Sequence, residues 1–439
     1  MLTEADWTAG DLARAVNFLG KAHSLTLRYD RTSVAHWISG SRPRSPVPEL
    51  AASALSRRTG RLITEEATGL AADSRDAEEG MALHLAQSSP VRYLVDMAQA
   101  DTDPLRRALV TRSAYTLTAV VLHDWSRPHA APPARVRRAT AADVEILQEM
   151  VHLVADRSER RGGAHGRSAL AAYLADDVSR VLASSASAAL RRELLAACAE
   201  LAHLLAQMTD DAGYPGLAQR YFHTALGLAG QAGHRTLYAI TMRAMSAQAL
   251  RMHHYKYAAE LAEGALETVG TDAGHAVMAF LLSQRAVAHS LGGDQRLAFK
   301  DLTDAETRHG QATSASGPFT AYPRAGLDYQ RAQALLHLGR RVDAVVALQD
   351  CLRHRSPAQR RSHALTQARL AELLLGNGHV EQACVHWNLF LDDYPHVRST
   401  HVDHALAGLR SALRPHRRQR RVACLWERAA ELRGPHIST

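Results

Sequence analysis

The residues best suited to chemistry in this chain lie together near its start: Arg28, Arg31, Thr32, Ser33, His36, Ser39, Arg42 and Arg44. Guanidinium groups neutralise phosphates, and short hydroxyl and imidazole side chains are sized to reach base edges. The set is suited to holding double-stranded DNA rather than to making or breaking bonds. Residues 12–64 carry nine Lys or Arg against Asp30 and Glu49, nearly the whole of the +8 formal net charge. Catalytic patterns are missing: no GxxxxGK[ST], no HExxH, no GxSxG and no GxGxxG after a strand. The chain is therefore expected not to be an enzyme, and no cofactor is implied. His386, His396, His401 and His404 fall close in sequence. No Cys or carboxylate stands beside them at a ligand spacing, so no metal is expected either. The second basic run, from Arg410 to Arg421, reads as the solvated face of a terminal helix pair.

Positioning the first set requires a short helix. Asp30 or Thr32 can cap it, Val34, Trp37 and Ile38 form its inner face, and Gly40 ends it. The stretch SRPRSPVP then leads, extended, into a helix from Pro48 to about Arg58. The stretch before Asp30 is too short for a full helix. Either Asp11–His23 supports the short helix across a longer turn, or the motif is degraded.

The rest of the chain is organised by a period. Ala218, Ala258, Ala298, Ala344, Ala383 and Ala423 are separated by 40, 40, 46, 39 and 40 residues. Another small residue stands twelve positions before each: Ala206, Ser246, Ala286, Ala332, Ala371 and Ser411. Seven positions after come Ala225, Ala265, Ala305, Cys351, Phe390 and Ala430. Small side chains at fixed points let the two helices of a hairpin approach closely, and a period of this length marks a stacked helical solenoid. Gly339 and Gly378 sit five residues before their alanines, where the chain reverses, and Pro395 closes a hairpin. The extra length of the fourth gap falls in residues 308–322 and reads as a surface loop. Such solenoids hold other molecules.

LLHLGRRVDAVVALQDCL (Leu335–Leu352) and ELLLGNGHVEQACVHWNLFLDDYP (Glu372–Pro395) resemble the tetratricopeptide repeat, and the resemblance runs from about Leu190 to Leu432. It implies a peptide or protein segment held in a concave groove. RTSVAHWISGSRPR resembles the recognition helix and turn of lambda-repressor-like (XRE-type) helix-turn-helix regulators, and PELAASALSRRTGR their next helix. Together with LLAACAELAHLLAQMTDDAGYPGLAQRYFHTALGLAGQAG, the halves resemble actinobacterial regulators that join such a domain to tetratricopeptide-like repeats. The resemblance implies a cytoplasmic, homodimeric DNA-binding transcriptional regulator whose repeats sense a peptide, protein or small effector. The alternative is a tetratricopeptide-like adaptor for protein partners without sequence-specific DNA binding.

The expected fold class is all-α. An N-terminal helix-turn-helix-like domain (1–70) is followed by a helical connector and a Pro/Arg-rich linker (71–140). A tetratricopeptide-like helical repeat domain (141–439) completes the chain, with a break at GGAHG (162–166). No apolar run approaches the roughly 20 residues of a membrane span, so no membrane contact is expected. Cys351, Cys384 and Cys424 fall on or beside repeat positions and read as buried packing thiols.

Overall fold

The computed structural model describes residues 2, 4–22, 27–41, 43, 47–59, 63, 68–70, 89–103, 106–107, 110–111, 113–115, 117, 125, 138–270, 273–313 and 317–432. The chain forms two compact units, Met1–Ser88 with Asp103–Thr111, and Ser89–Thr102 with Arg112–Thr439. Among the described residues no strand forms; one parallel bridge pairs Arg138 with Ser185.

The first unit packs α1 (Ala9–Ala22) against both α2 (Arg31–Ile38) and α3 (Val47–Thr59). Leu12, Val16 and Leu19 recur at helical spacing on α1 and meet Val34 and Trp37 of α2 and Leu50, Ala51, Ala54 and Leu55 of α3. Asn17 fixes the approach to α2: its amide donates to the Tyr29 carbonyl at 2.7 Å and its carbonyl accepts the Tyr29 amide at 2.9 Å. Tyr29 then meets Trp37 edge-on, with ring centroids 5.1 Å apart. Asp30 is the cap, accepting the Ser33 amide at 2.8 Å. Ile38, expected inward, is the last helical residue and is 67% exposed; the two-turn helix buries only Val34 and Trp37.

The second unit opens with α4 (Pro90–Thr102) and α5 (Ala141–Arg161). α6 (Arg167–Tyr173) runs on through a π turn, Leu174–Val178, into Ser179–Leu182. Six hairpins follow: α7 (Ala188–Asp211) with α8 (Pro215–Gln231), α9 (Arg235–Arg251) with α10 (Tyr255–Val269), and α11 (His275–Leu291) with α12 (Gln295–Gly310). Then come α13 (Arg324–His337) with α14 (Arg341–His354), α15 (Arg360–Gly376) with α16 (Val380–Asp393), and α17 (Thr400–Leu413) with α18 (Arg420–Glu431). This is a tetratricopeptide-like helical solenoid.

The period has a direct structural cause. Ala206, Ala218, Ala225, Ser246, Ala258, Ala265, Ala286, Ala298, Ala305, Ala332, Ala344, Ala371 and Ala383 are all at most 2% exposed. The Ser246 hydroxyl donates to the Ala258 carbonyl at 2.8 Å, so these positions of one hairpin touch backbone to side chain. A further row, Ala199, Ala239, Ala279, Ala325 and Ala364, lies seven residues before the first small residue and is equally buried. Five hairpin turns place a left-handed residue five positions before the key alanine: Gly213, His253, Gly293, Gly339 and Gly378. The sixth hairpin departs from this. Arg418 occupies the turn position, the chain passes instead through a 3-10 turn at Arg414–His416, and the register slips by one. Val422 and Ala429 are buried there, while Ser411 and Ala430 are exposed. Cys424, expected buried, is exposed in consequence, unlike Cys198, Cys351 and Cys384.

Candidate interaction surfaces

On α2 the polar side chains face outward. Arg28, Arg31, Thr32, His36 and Ser39 are exposed and Ser33 is half-buried; Arg42 and Arg44 lie outside the described residues. Two hydroxyls are already engaged. Ser33 donates to the Asp30 carboxylate at 2.8 Å, and Ser39 donates to the His36 carbonyl at 2.9 Å. The Ser33 amide, first, holds the Asp30 carboxyl below the usual carboxylate range. That leaves Arg28, Arg31, Thr32 and His36 as the open polar groups of this face.

In the second unit α7, α9, α11 and α13 pack in series, as do α15 and α17, so the first helices of the hairpins line the inner side of the coil. The chain fills part of that channel itself. α5 lies on α7 and reaches α15, burying Val144, Leu147, Val151 and Val154. A second apolar pair on α5, Ile146 and Leu153, faces away and is 54% and 47% exposed. The long connection after α12 is not a plain surface loop. Phe319 meets the buried His203 ring edge-on at 5.1 Å, and the Tyr322 hydroxyl is 2.9 Å from Ser283 on α11.

Where α5 ends, three distant parts of the coil converge on Asp211. Its carboxylate accepts from the Gly163 amide (2.7 Å), Arg361 Nε (2.9 Å) and Nη2 (2.7 Å), and the Ser399 hydroxyl (2.6 Å), with His401 Nδ1 at 2.8 Å. Burial alone would raise the Asp211 pKa, but the Arg361 guanidinium and the His401 hydrogen bond outweigh it and hold the carboxyl far below the usual range. The glycines of the break are close-approach positions. A Cβ on Gly162 would collide with the Arg398 carbonyl, and one on Gly163 would come within 2.7 Å of Asp211. His401 is thus committed to a carboxylate, and His386 Nδ1 lies 2.7 Å from Gln367, so these two are not gathered around an ion. No group of three or more His, Cys, Asp or Glu able to hold a metal occurs among the described residues.

A second buried node was not legible from the period. Arg167 forks onto Asp101 at 2.6 and 2.9 Å, and the Tyr221 hydroxyl donates to the same carboxylate at 3.0 Å. It ties α4 to the first hairpin. On the inner side of α7, burial pushes Glu200 up to about 7. Burial first, and the Arg243 charge second, push His203 down to about 3.

Residues 1–71 match the family described as the SP15 N-terminal domain. No curated protein matches the chain. Among solved structures the chain is similar to a chain of an APC/C hetero-tetramer, Cut9–Hcn1, at 14% identity and a TM-score of 0.35, covering 66% of this chain. The chain spans 48% of that one's length. The likeness is slight, and the helical-repeat architecture stands on the hairpins themselves. No described helix is long and apolar enough to cross a membrane.

Proposed function

We propose that this chain is an adaptor whose helical coil docks a helical segment of a protein partner, and that it carries no catalytic activity. The observation behind this reading is α5. The coil already grips one amphipathic helix through Val144, Leu147, Val151 and Val154, and that helix offers Ile146 and Leu153 outward at a two-turn spacing. Helix-in-groove docking uses anchors of this type and spacing. Exposed apolar positions are cheap to change, so Ile146→Asp with Leu153→Asp should leave folding within about 0.5 kcal/mol of wild type. In crosslinked pull-downs with the full chain, partners that depend on the coil should be lost from this variant. An unchanged partner set would refute the docking face.

A second reading is favoured by the outward face of α2: a homodimeric, sequence-specific DNA-binding regulator, with Arg28, Arg31, Thr32 and His36 at the duplex. One short helix reads few bases, so two protomers are needed. Selection of bound DNA from a random library tests it; an inverted repeat supports this reading, and no enrichment over input removes it. Arg31→Ala should weaken DNA affinity and flatten its salt dependence if Arg31 meets a phosphate.

A further inference from the structure

His203, Arg243 and Ser283 occupy one equivalent place, three residues before the small residue of α7, α9 and α11. They are therefore neighbours along the inner side, with Arg243 in the middle. The connection after α12 touches both flanks, Phe319 on His203 and Tyr322 on Ser283. Arg243 lies deep in the coil without being sealed from solvent. Its Cζ sits 3.7 Å from the Phe280 ring centroid, and its Nε makes a 3.4 Å contact with the Phe280 carbonyl. The charged or titratable groups acting on it are the Tyr322 hydroxyl and a second cation, Arg251; among the described residues no carboxylate faces it. Arg251 has its own partner in Asp210. His203 brings no compensating charge. The Thr241 hydroxyl donates to the Leu237 carbonyl, so His203 Nδ1 carries its proton toward Thr241, and burial keeps the ring neutral. A deep cation without a counter-ion is costly, and proteins pair such groups.

We propose that Arg243 centres a binding site for a carboxylate-bearing small molecule with an apolar body. With one guanidinium face on Phe280, the terminal nitrogens present the planar fork that matches a carboxylate edge. Phe280, Phe319 and Tyr322 supply apolar surface for the rest of the ligand. One cation among neutral and aromatic groups suits a monoanion better than a phosphate dianion. The site stands whether or not a protein partner docks on α5.

The test is thermal melting of the full-length protein with sodium benzoate and, separately, sodium phosphate at matched ionic strength. Benzoate at tenfold excess over its Kd should raise the Tm by about 2 °C, and phosphate should not. Arg243→Met should abolish the response. Arg243→Lys, which keeps the charge but loses the fork, should retain only a small part of it and decides the matter if the Met variant does not fold. The proposal is overturned if wild type does not respond, if either variant responds as wild type does, or if phosphate matches benzoate.

Discussion

Replacing Asp211 by Asn should open the coil at its closing contact. The Asp211 side chain is only 3% exposed, and Arg361, at 2.7 Å, is the largely buried cation it neutralises. Asn keeps one acceptor but turns an amide toward donors that now point at a carboxylate, among them Arg361 Nε and the Gly163 amide. Arg361 would retain Glu159, at 3.8 Å, and the more distant charge of Asp210. Breaking a buried pair by removing one partner costs about 3–5 kcal/mol, because the remaining charge stays uncompensated. Arg361→Met should cost a similar amount, and the double variant should lose less than the two together, with a coupling of up to about 3 kcal/mol. Asp211 has a depressed folded pKa, so its contribution is present above the unfolded value near 4 and is lost as pH falls below it. The acid limb of the stability profile should therefore be shallower in Asp211→Asn. Urea unfolding followed by far-UV circular dichroism measures the loss, and small-angle scattering should show a larger radius for the variant. A loss under about 1 kcal/mol with an unchanged radius would show that the coil is not closed here.

Other expectations follow from single groups. His203 is neutral when folded, with a pKa near 3 against about 6.5 unfolded, so stability should fall with pH between those values. That amounts to about 3 kcal/mol at pH 4 relative to pH 6.5, and His203→Gln should remove this slope in urea titrations at stepped pH. His253 holds a φ of +62° at a turn where its counterparts are glycine. His253→Gly should raise stability by up to about 1 kcal/mol, unless its 2.9 Å contact with the Tyr255 hydroxyl offsets the gain. Iodoacetamide should label Cys424 in the native protein and leave Cys198, which burial pushes up to about 12, unlabelled until unfolding. Equal labelling rates would contradict the burial.

The solenoid was legible because its cause is local and recurs. Close packing of two helices demands a small side chain at one register, and a repeat prints that demand every hairpin. The last hairpin shows the limit. Its alanines continue the count, yet with Arg418 in place of a left-handed turn residue the helix seats on Val422 and Ala429 instead. Spacing alone does not report which turn joins two helices. In the first unit the cap and the buried pair Val34 and Trp37 were readable, whereas Ile38 was not, since an apolar type does not reveal where a two-turn helix stops.

The inner side of the coil escaped sequence reasoning for a different reason: each of its features joins positions far apart in the chain. Gly162 and Gly163 look like a simple helix break, but their missing side chains make room for Arg398 and Asp211. The long connection looks like tolerated surface length, but it brings Phe319 to His203, more than a hundred residues earlier. Arg243 is one of many arginines in the sequence. It stands apart only once Asp210, Asp301 and Asp328 are seen committed to Arg251, Arg285 and Arg324. Those pairs occupy three of the carboxylates carried by neighbouring hairpins, and Arg243 lies between His203 and Ser283, both of which the connection after α12 touches. A period records what every hairpin shares; a binding site is made where one hairpin differs from the others.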